Sequence, residues 1–477
     1  MNSELRKSAP LLDAYLNYFE TQRIAFTIPG HKQKAYRLDE GLGAVVDSDT
    51  PLYGGLDEIK LTEGTLKKAE ALAASLWGAA YARFSTGGST HANQAIILAL
   101  GKPGDKVAVT RTAHRSVLSA LVLTGLEPIW LTPEIDEATG IPRGIPVAEL
   151  ERVLDQKPIA LLLTEPGYLG TISELTALIS RAHENSIPVI IDAAWGAHFG
   201  FNSLIPRHVL QLGADALITS VHKALPGYSA SALLLAQGTL LDLDRIEQSF
   251  ETTHTTSPAG APLASIDACR ALLQTRGEQL TGQLLNHVNA FKAAVQANFD
   301  SPIFLMADNF PAGRFDPVKI VLRANVLGLS GVDVEKELQK QNIRVEMADR
   351  DTIVFLATLA DSSEDFKVLE TALIPILKSL QGPVRETQTS LSWSVIPTVA
   401  MSIRDAYFAD TETVSAAKAI GRISADLIAP YPPGVAVVAP GELLTEQIIH
   451  GLAATQKAGV RIAYASDSTL ATYRVTR

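Results

Sequence analysis

PVIIDAA at residues 188–194 and ALITSVHK at residues 216–223 decide the fold. Each holds a short, unbroken apolar run, and each closes on a chemically active side chain, Asp192 in the first and Lys223 in the second. A strand with one wet face alternates apolar and polar residues. An unbroken apolar run has both faces inside, as in a parallel sheet covered by helices on either side. The same signature recurs outward as KVAVT (106–110), PIWL (128–131), IALLLTEP (159–166) and SALLLA (231–236). Helix-length stretches at 66–77, 90–100, 116–124 and 173–185 separate these runs, and Gly101, Gly104, Gly125 and Gly213 punctuate the helix ends. The alternation predicts an α/β domain built on a mostly parallel sheet.

At 477 residues the chain exceeds what one hydrophobic core serves, so smaller domains are expected beside the large one. Residues 1–40 read as an N-terminal arm, an amphipathic helix at 11–19 followed by the extended FTIPGHKQ. The large domain is expected over 41–300, its last part (245–300) helical. A smaller α/β domain follows at 301–380, with KIVLRA, IRVEMA and TIVFLAT as strands and helices near 332–341 and 363–380. Residues 381–477 form a C-terminal tail domain containing RDAYFAD, GRISADLIAPYPPG and VAVVAPGE.

Composition removes several classes of function. Hydrophobic residues make up 47% and charged residues 19%, a balance that buries a core and argues against disorder. The net charge of −10 without a basic block speaks against nucleic acid and against anionic membranes, which need clustered Lys and Arg. The one cysteine, Cys269, allows neither an internal disulfide framework nor a Cys-based zinc site and reads as a small packed residue; no metal is expected. The opening MNSELRKSAPLLDAYLNYFE has no apolar signal core, and no apolar run reaches the ~20 residues of a membrane helix. A cytoplasmic protein is expected.

Three features fall at strand-to-helix junctions, where open α/β sheets place their ligands. In STGGSTHANQ (85–94), Gly87 and Gly88 let a ligand approach the backbone, and the helix start with the Ser89 and Thr90 hydroxyls suits a phosphate. Asp192 closes an apolar run, where a carboxylate is costly without a partner; a protonated pyridine nitrogen is a suitable one. Lys223, flanked by a hydroxyl and a histidine in SVHK, suits imine formation with an aldehyde cofactor. Taken singly, each has a plain structural alternative: a capped Gly-rich turn, an Asp capping the next turn, a solvated lysine.

Their order changes the weighing. TIPGHKQ, GLDEIK, the phosphate turn, GDKVAVTRTAHRSVLSALVLTG, EPGYLGTISEL, DAAWGAH, SVHK, TTSPAGAPLASIDACR, RISADLIAPYPPG and PGE follow one another along nearly the whole chain. In this the sequence resembles the ornithine/lysine/arginine decarboxylases of the aspartate-aminotransferase (type I) fold. The resemblance implies pyridoxal 5'-phosphate as cofactor, with Lys223 as its Schiff-base lysine and Asp192 paired with the pyridine nitrogen. It implies that Gly88, Ser89, Thr90, Ser220 and His222 bind the phosphate and that His114 stacks on the pyridine ring. It places Trp195 and His198 in the lining of the cofactor pocket and Glu442 where an acid could meet the distal cation of a substrate. Members commonly carry Asn where Gly87 stands, Glu-Ala-His where Ala193-Ala194-Trp195 stand and Thr where Val221 stands, which leaves substrate preference open.

The implied reaction is decarboxylation of a basic amino acid (arginine, lysine or ornithine) to a di- or polyamine precursor. A homodimer or larger even assembly is expected; the chain is short for the family and lacks the extra N-terminal domain that long members use to form decamers. An aminotransferase or aldolase of the same fold, or a silent regulatory protein, remains the alternative, and release of CO₂ or absorbance from the bound cofactor separates them.

Overall fold

The computed structural model describes residues 3–21, 24–52, 55–57, 64–431 and 434–477. All six apolar runs are strands of one seven-stranded sheet. Its strands are β1 (Tyr81–Ser85), β2 (Lys106–Thr110), β3 (Glu127–Leu131), β4 (Leu161–Thr164), β5 (Val189–Asp192), β6 (Ala216–Ser220) and β7 (Ala232–Ala236), in the order β1-β7-β6-β5-β4-β2-β3. β2 runs parallel to β3 and β4, while β7 runs antiparallel to β1 and β6, so the sheet is mixed but mostly parallel. The strand the apolar pattern did not single out is β1, YARFS, because Arg83 interrupts it. That arginine is nevertheless buried, donating through Nε to Glu70 at 3.2 Å and through its other nitrogens to Glu247 and Glu251.

Four helices bear on the arm and the site: α1 (Pro10–Glu20), α2 (Thr65–Trp77), α3 (Gly88–Leu100) and α4 (Arg115–Thr124). The chain forms two compact units. The first comprises Met1–Ala99, Asp192–Ser203 and Arg207–Thr281. Within it the N-terminal arm is tied down by Asp267, whose Oδ2 accepts from the backbone N–H of Leu11 at 2.7 Å and whose Oδ1 accepts from Arg270. Trp77 at the end of α2 packs edge-to-face on Phe201 with ring centroids 5.2 Å apart. The helical stretch expected over 245–300 is two helices, Leu243–Thr253 and Gly260–Gln296. They are separated by HTTSPA, where Pro258 offers no backbone donor to a continuing helix.

The second unit comprises Leu100–Ile191, Leu204–Pro206 and Gly282–Arg477. It contains an antiparallel sheet in which Thr352–Phe355 pairs with both Ile320–Arg323 and Met347–Ala348. Helices Gly331–Lys340 and Ser363–Leu380 accompany it; the latter opens with a capping box in which Ser362 and Asp365 satisfy each other's backbone donors. Nearer the C-terminus, Thr411–Ser415 pairs with Thr472–Thr476 and Ala429–Tyr431 pairs with Arg461–Ala463. These elements and the helix Glu446–Lys457 enclose a core of Val395, Val437, Val438, Leu444, Ile448, Leu452 and Val475. No helix among the described residues is long and apolar enough to cross a membrane.

Candidate active site

The first unit holds eight of the side chains singled out by sequence. Gly88 opens α3 at φ +72°, a backbone conformation natural to glycine, and its N–H donates to Ala230 O at 2.7 Å. This opens a 13-residue helix whose leading N–H groups have no partner within the helix itself. Ser89 on that turn lies 2.8 Å, hydroxyl to hydroxyl, from Ser220, the last residue of β6. Thr90 is exposed on the same turn. A Cβ on Gly87 would stand 2.7 Å from the Cβ of His91, so an Asn at this position has no room unless His91 moves.

Asp192 ends β5 almost wholly buried, 5% exposed. Asn93 Nδ2, one turn along α3 from Ser89, donates to its Oδ2 at 2.8 Å, and the N–H of Ala194 donates to Oδ1 at 3.1 Å. The turn after Asp192 is fixed by Thr219, whose hydroxyl donates to Ala193 O at 2.9 Å. That turn presents Trp195, and the Lys223 ammonium lies 4.1 Å from the centre of its ring. At that distance the indole face holds a cation by ~1–2 kcal/mol. His198 is buried, its ring edge-to-face with Phe199 at 4.8 Å.

His222 Nδ1 sits 3.1 Å from Ser231 O. A carbonyl only accepts, so Nδ1 carries the proton, and the neutral ring keeps its lone pair on Nε2. Burial holds the imidazole below its usual pKa of 6.5, against the opposing bond to Ser231; the charge of Lys223 adds to the lowering.

His114 and Glu442 belong to the second unit. His114 caps α4: its Nδ1 accepts from the N–H of Ser116 at 3.2 Å and lies 2.9 Å from the Ser116 hydroxyl. Glu442, expected to face a substrate's distal cation, is instead turned inward. Arg111 donates to Oε1 at 2.6 Å and to Oε2 at 2.9 Å, the N–H of Ala439 also donates to Oε2, and the carboxylate is 1% exposed. Arg111 donates as well to Val437 O at 2.9 Å and lies over the Trp130 ring at 4.8 Å. Within the chain, the partner of Glu442 is Arg111. A buried carboxylate beside a guanidinium fork is satisfied within the protein.

Sequence reasoning missed Asn93 and Arg111. Asn93 is one turn beyond Ser89 on the same helix, which could have drawn attention to it. Arg111 directly follows the apolar strand KVAVT and so needed a buried partner, but nothing local names that partner. Among the sequence motifs, Pro432 and Pro433 in YPPG and residues 58–60 in GLDEIK lie outside the described residues.

The family model described as Orn/Lys/Arg decarboxylase, major domain, matches residues 9–365, and that of the C-terminal domain matches residues 386–462. The chain belongs to the Orn/Lys/Arg decarboxylase family. Among curated relatives it is 34% identical to the arginine decarboxylase of Bacillus subtilis, over 98% of both chains. It is 31% identical to that of Halalkalibacterium halodurans, over 99% of this chain and 98% of the relative. Among solved structures, lysine decarboxylase A from Pseudomonas aeruginosa superimposes on all of this chain and 81% of its own with a TM-score of 0.84 at 19% identity, a likeness of fold. Membership confirms the resemblance read from the motif order and the α/β, type I fold expected with it.

Proposed function

We propose that this member of the decarboxylase family removes the α-carboxylate of a basic amino acid, arginine foremost, using pyridoxal 5'-phosphate. The observation that carries the reading is that one compact unit holds a buried carboxylate at the end of β5 and an amine after the end of β6, the amine lying over Trp195 of the turn that follows the carboxylate. Family membership and full-length similarity to proteins named arginine decarboxylase give it a substrate class.

The donor set fits the cofactor. Asp192 keeps an anion ready in the interior, oriented by Asn93 and the Ala194 N–H, and would hold a proton on the pyridine nitrogen. The first turn of α3 with Gly88, Ser89 and Thr90, together with Ser220, would receive the phosphate, and His222 would join them through Nε2 only when that nitrogen also carries a proton. Lys223 Nζ would take the aldehyde carbon, with Trp195 beneath it and His198 among the lining residues. His114 would lie against the ring. The bound cofactor supplies an electron sink for the pair left behind when CO₂ departs. The protein's part is to orient the Cα–carboxylate bond, hold the charge on the ring nitrogen and return a proton to the α-carbon, a task suited to Lys223 Nζ.

A homodimer or larger even assembly belongs to this proposal. It is supported by apolar side chains left open on the N-terminal arm, among them Phe26 (96% exposed) and Leu38 (85%). The single buried thiol suits a reducing compartment, and we place the enzyme in the cytoplasm.

Incubating the purified protein with arginine, lysine and ornithine in turn, and measuring CO₂ and the amine formed, tests the reading. Lys223→Ala should abolish both turnover and cofactor trapped by borohydride. Keto-acid formation without CO₂ would instead point to an aminotransferase.

A further inference from the structure

The geometry points to residues 404–464 as a clasp that sets the pose of the His114 ring, with Arg404, Glu442 and Tyr464 as positioning residues. The inference rests on the decarboxylase reading, in which His114 lies against the cofactor. Because His114 Nδ1 is bonded to the N–H of Ser116, the imidazole is anchored to the first turn of α4. Where α4 goes, the ring goes.

Three contacts from late in the chain hold α4, all within the second unit. Ahead of the helix, Arg111 is fixed by both oxygens of Glu442 at 2.6 and 2.9 Å. On its first residue, the Arg115 guanidinium lies 4.5 Å over the ring of Tyr464. At its far end, Arg404 Nη1 donates to Val122 O at 2.8 Å and Leu123 O at 2.7 Å, two last-turn carbonyls that have no acceptor role left inside the helix. A cation there also complements the helix dipole. Gly125, just beyond, sits at φ +71°, and a Cβ on it would be 3.2 Å from Arg404 Cδ, so the arginine side chain lies directly over the helix end. Ordinary packing would touch one face of the helix; here the entry, the first turn and the exit are each gripped by a polar or cation–π contact.

Arg404 makes the decisive test because it lies a full helix length from His114 and touches no proposed cofactor ligand. The holoenzymes of the wild type, Arg404→Ala, Arg404→Lys, Tyr464→Leu and Glu412→Gln are compared by kcat and KM for arginine, by visible circular dichroism of the bound cofactor, and by Tm. Glu412 is a control, paired at the surface with Arg422 in the same C-terminal region. We expect Arg404→Ala to lower kcat about tenfold with KM little changed, since small misplacements of a positioned group cost rate rather than affinity. Its dichroism should change, Arg404→Lys should recover most of both, Tyr464→Leu should shift the signal similarly and Glu412→Gln should match the wild type. Unchanged kcat and dichroism in Arg404→Ala and Tyr464→Leu, with only Tm lowered, would overturn the clasp alone. A wild-type protein that binds no cofactor or releases no CO₂ would overturn the decarboxylase reading as well, and is seen before any variant is made.

Discussion

Asp192 shows how a single residue can be costly for folding and useful for chemistry. A carboxylate 5% exposed at a strand end is held by two donors, Asn93 and the Ala194 N–H. Neither donor carries a full charge, so the site has room for a cation opposite it. Asp192→Asn keeps the shape and removes the charge. Under the proposed function its kcat should fall on the order of 10²-fold or more, the scale of losing one preorganised electrostatic partner. Steady-state rates at saturating cofactor would measure it, and a variant within twofold of the wild type would detach Asp192 from the ring nitrogen. Asp192 and Lys223 were visible in sequence because each comes at the end of a short apolar run. The ion pair of Glu442 was not, since its partner Arg111 lies 331 positions earlier and neither residue's neighbours name the other.

Among the elements, α4 carries the most consequence for its ten residues. Its C-terminal stop is Gly125, left-handed at φ +71° and closely backed by Pro103 Cβ, 3.1 Å from where a Cβ would stand. Gly125→Ala should destabilise the protein by about 1–2 kcal/mol for the left-handed backbone alone. The shift in urea midpoint measures this; no shift would mean the helix end relaxes freely. This glycine was legible as a helix end in the sequence, as were the six buried strands, because unbroken apolar runs and glycine stops are local signals. β1 was harder to read. Its Arg83 breaks the apolar run, and the three glutamates that make its burial tolerable, Glu70, Glu247 and Glu251, come from two other helices. The helical region 245–300 was recognised as a type, whereas its interruption before Gly260 depends on what the Pro258 turn packs against.

For the whole molecule, buried ionisable groups set the pH range of stability. Burial pushes the Glu165 carboxyl up to about 7, against the hydrogen bonds from Ser173 and the charge of Arg314, and burial likewise raises Glu70 to about 7. The folded chain keeps these protons while the unfolded chain has released them. Their contribution is therefore complete below a pH of about 4.5 and is lost as pH rises through about 7. His208 works the other way. Burial, and then the charge of Arg207, holds it down to about 4, so stability is lost as pH falls from 6.5 towards that value. Glu165→Gln never ionises and keeps one of the two acceptors that Ser173 uses. Its Tm relative to the wild type's should therefore be more favourable at pH 8 than at pH 5, as calorimetry at the two values would show; equal shifts at both would remove Glu165 from the account.

The separation of Arg111 from Glu442 also has a consequence for the newborn chain. At ordinary speeds of translation, roughly 15–65 s pass between the ribosome's addition of the arginine and of the acid that neutralises it, 331 positions later. Until then the nascent loop before α4 has a cation with no interior to enter. A message cut short between Ala236 and Glu442 would yield a polypeptide with all seven strands of the sheet and a His114 loop that still lacks the anion it was shaped around.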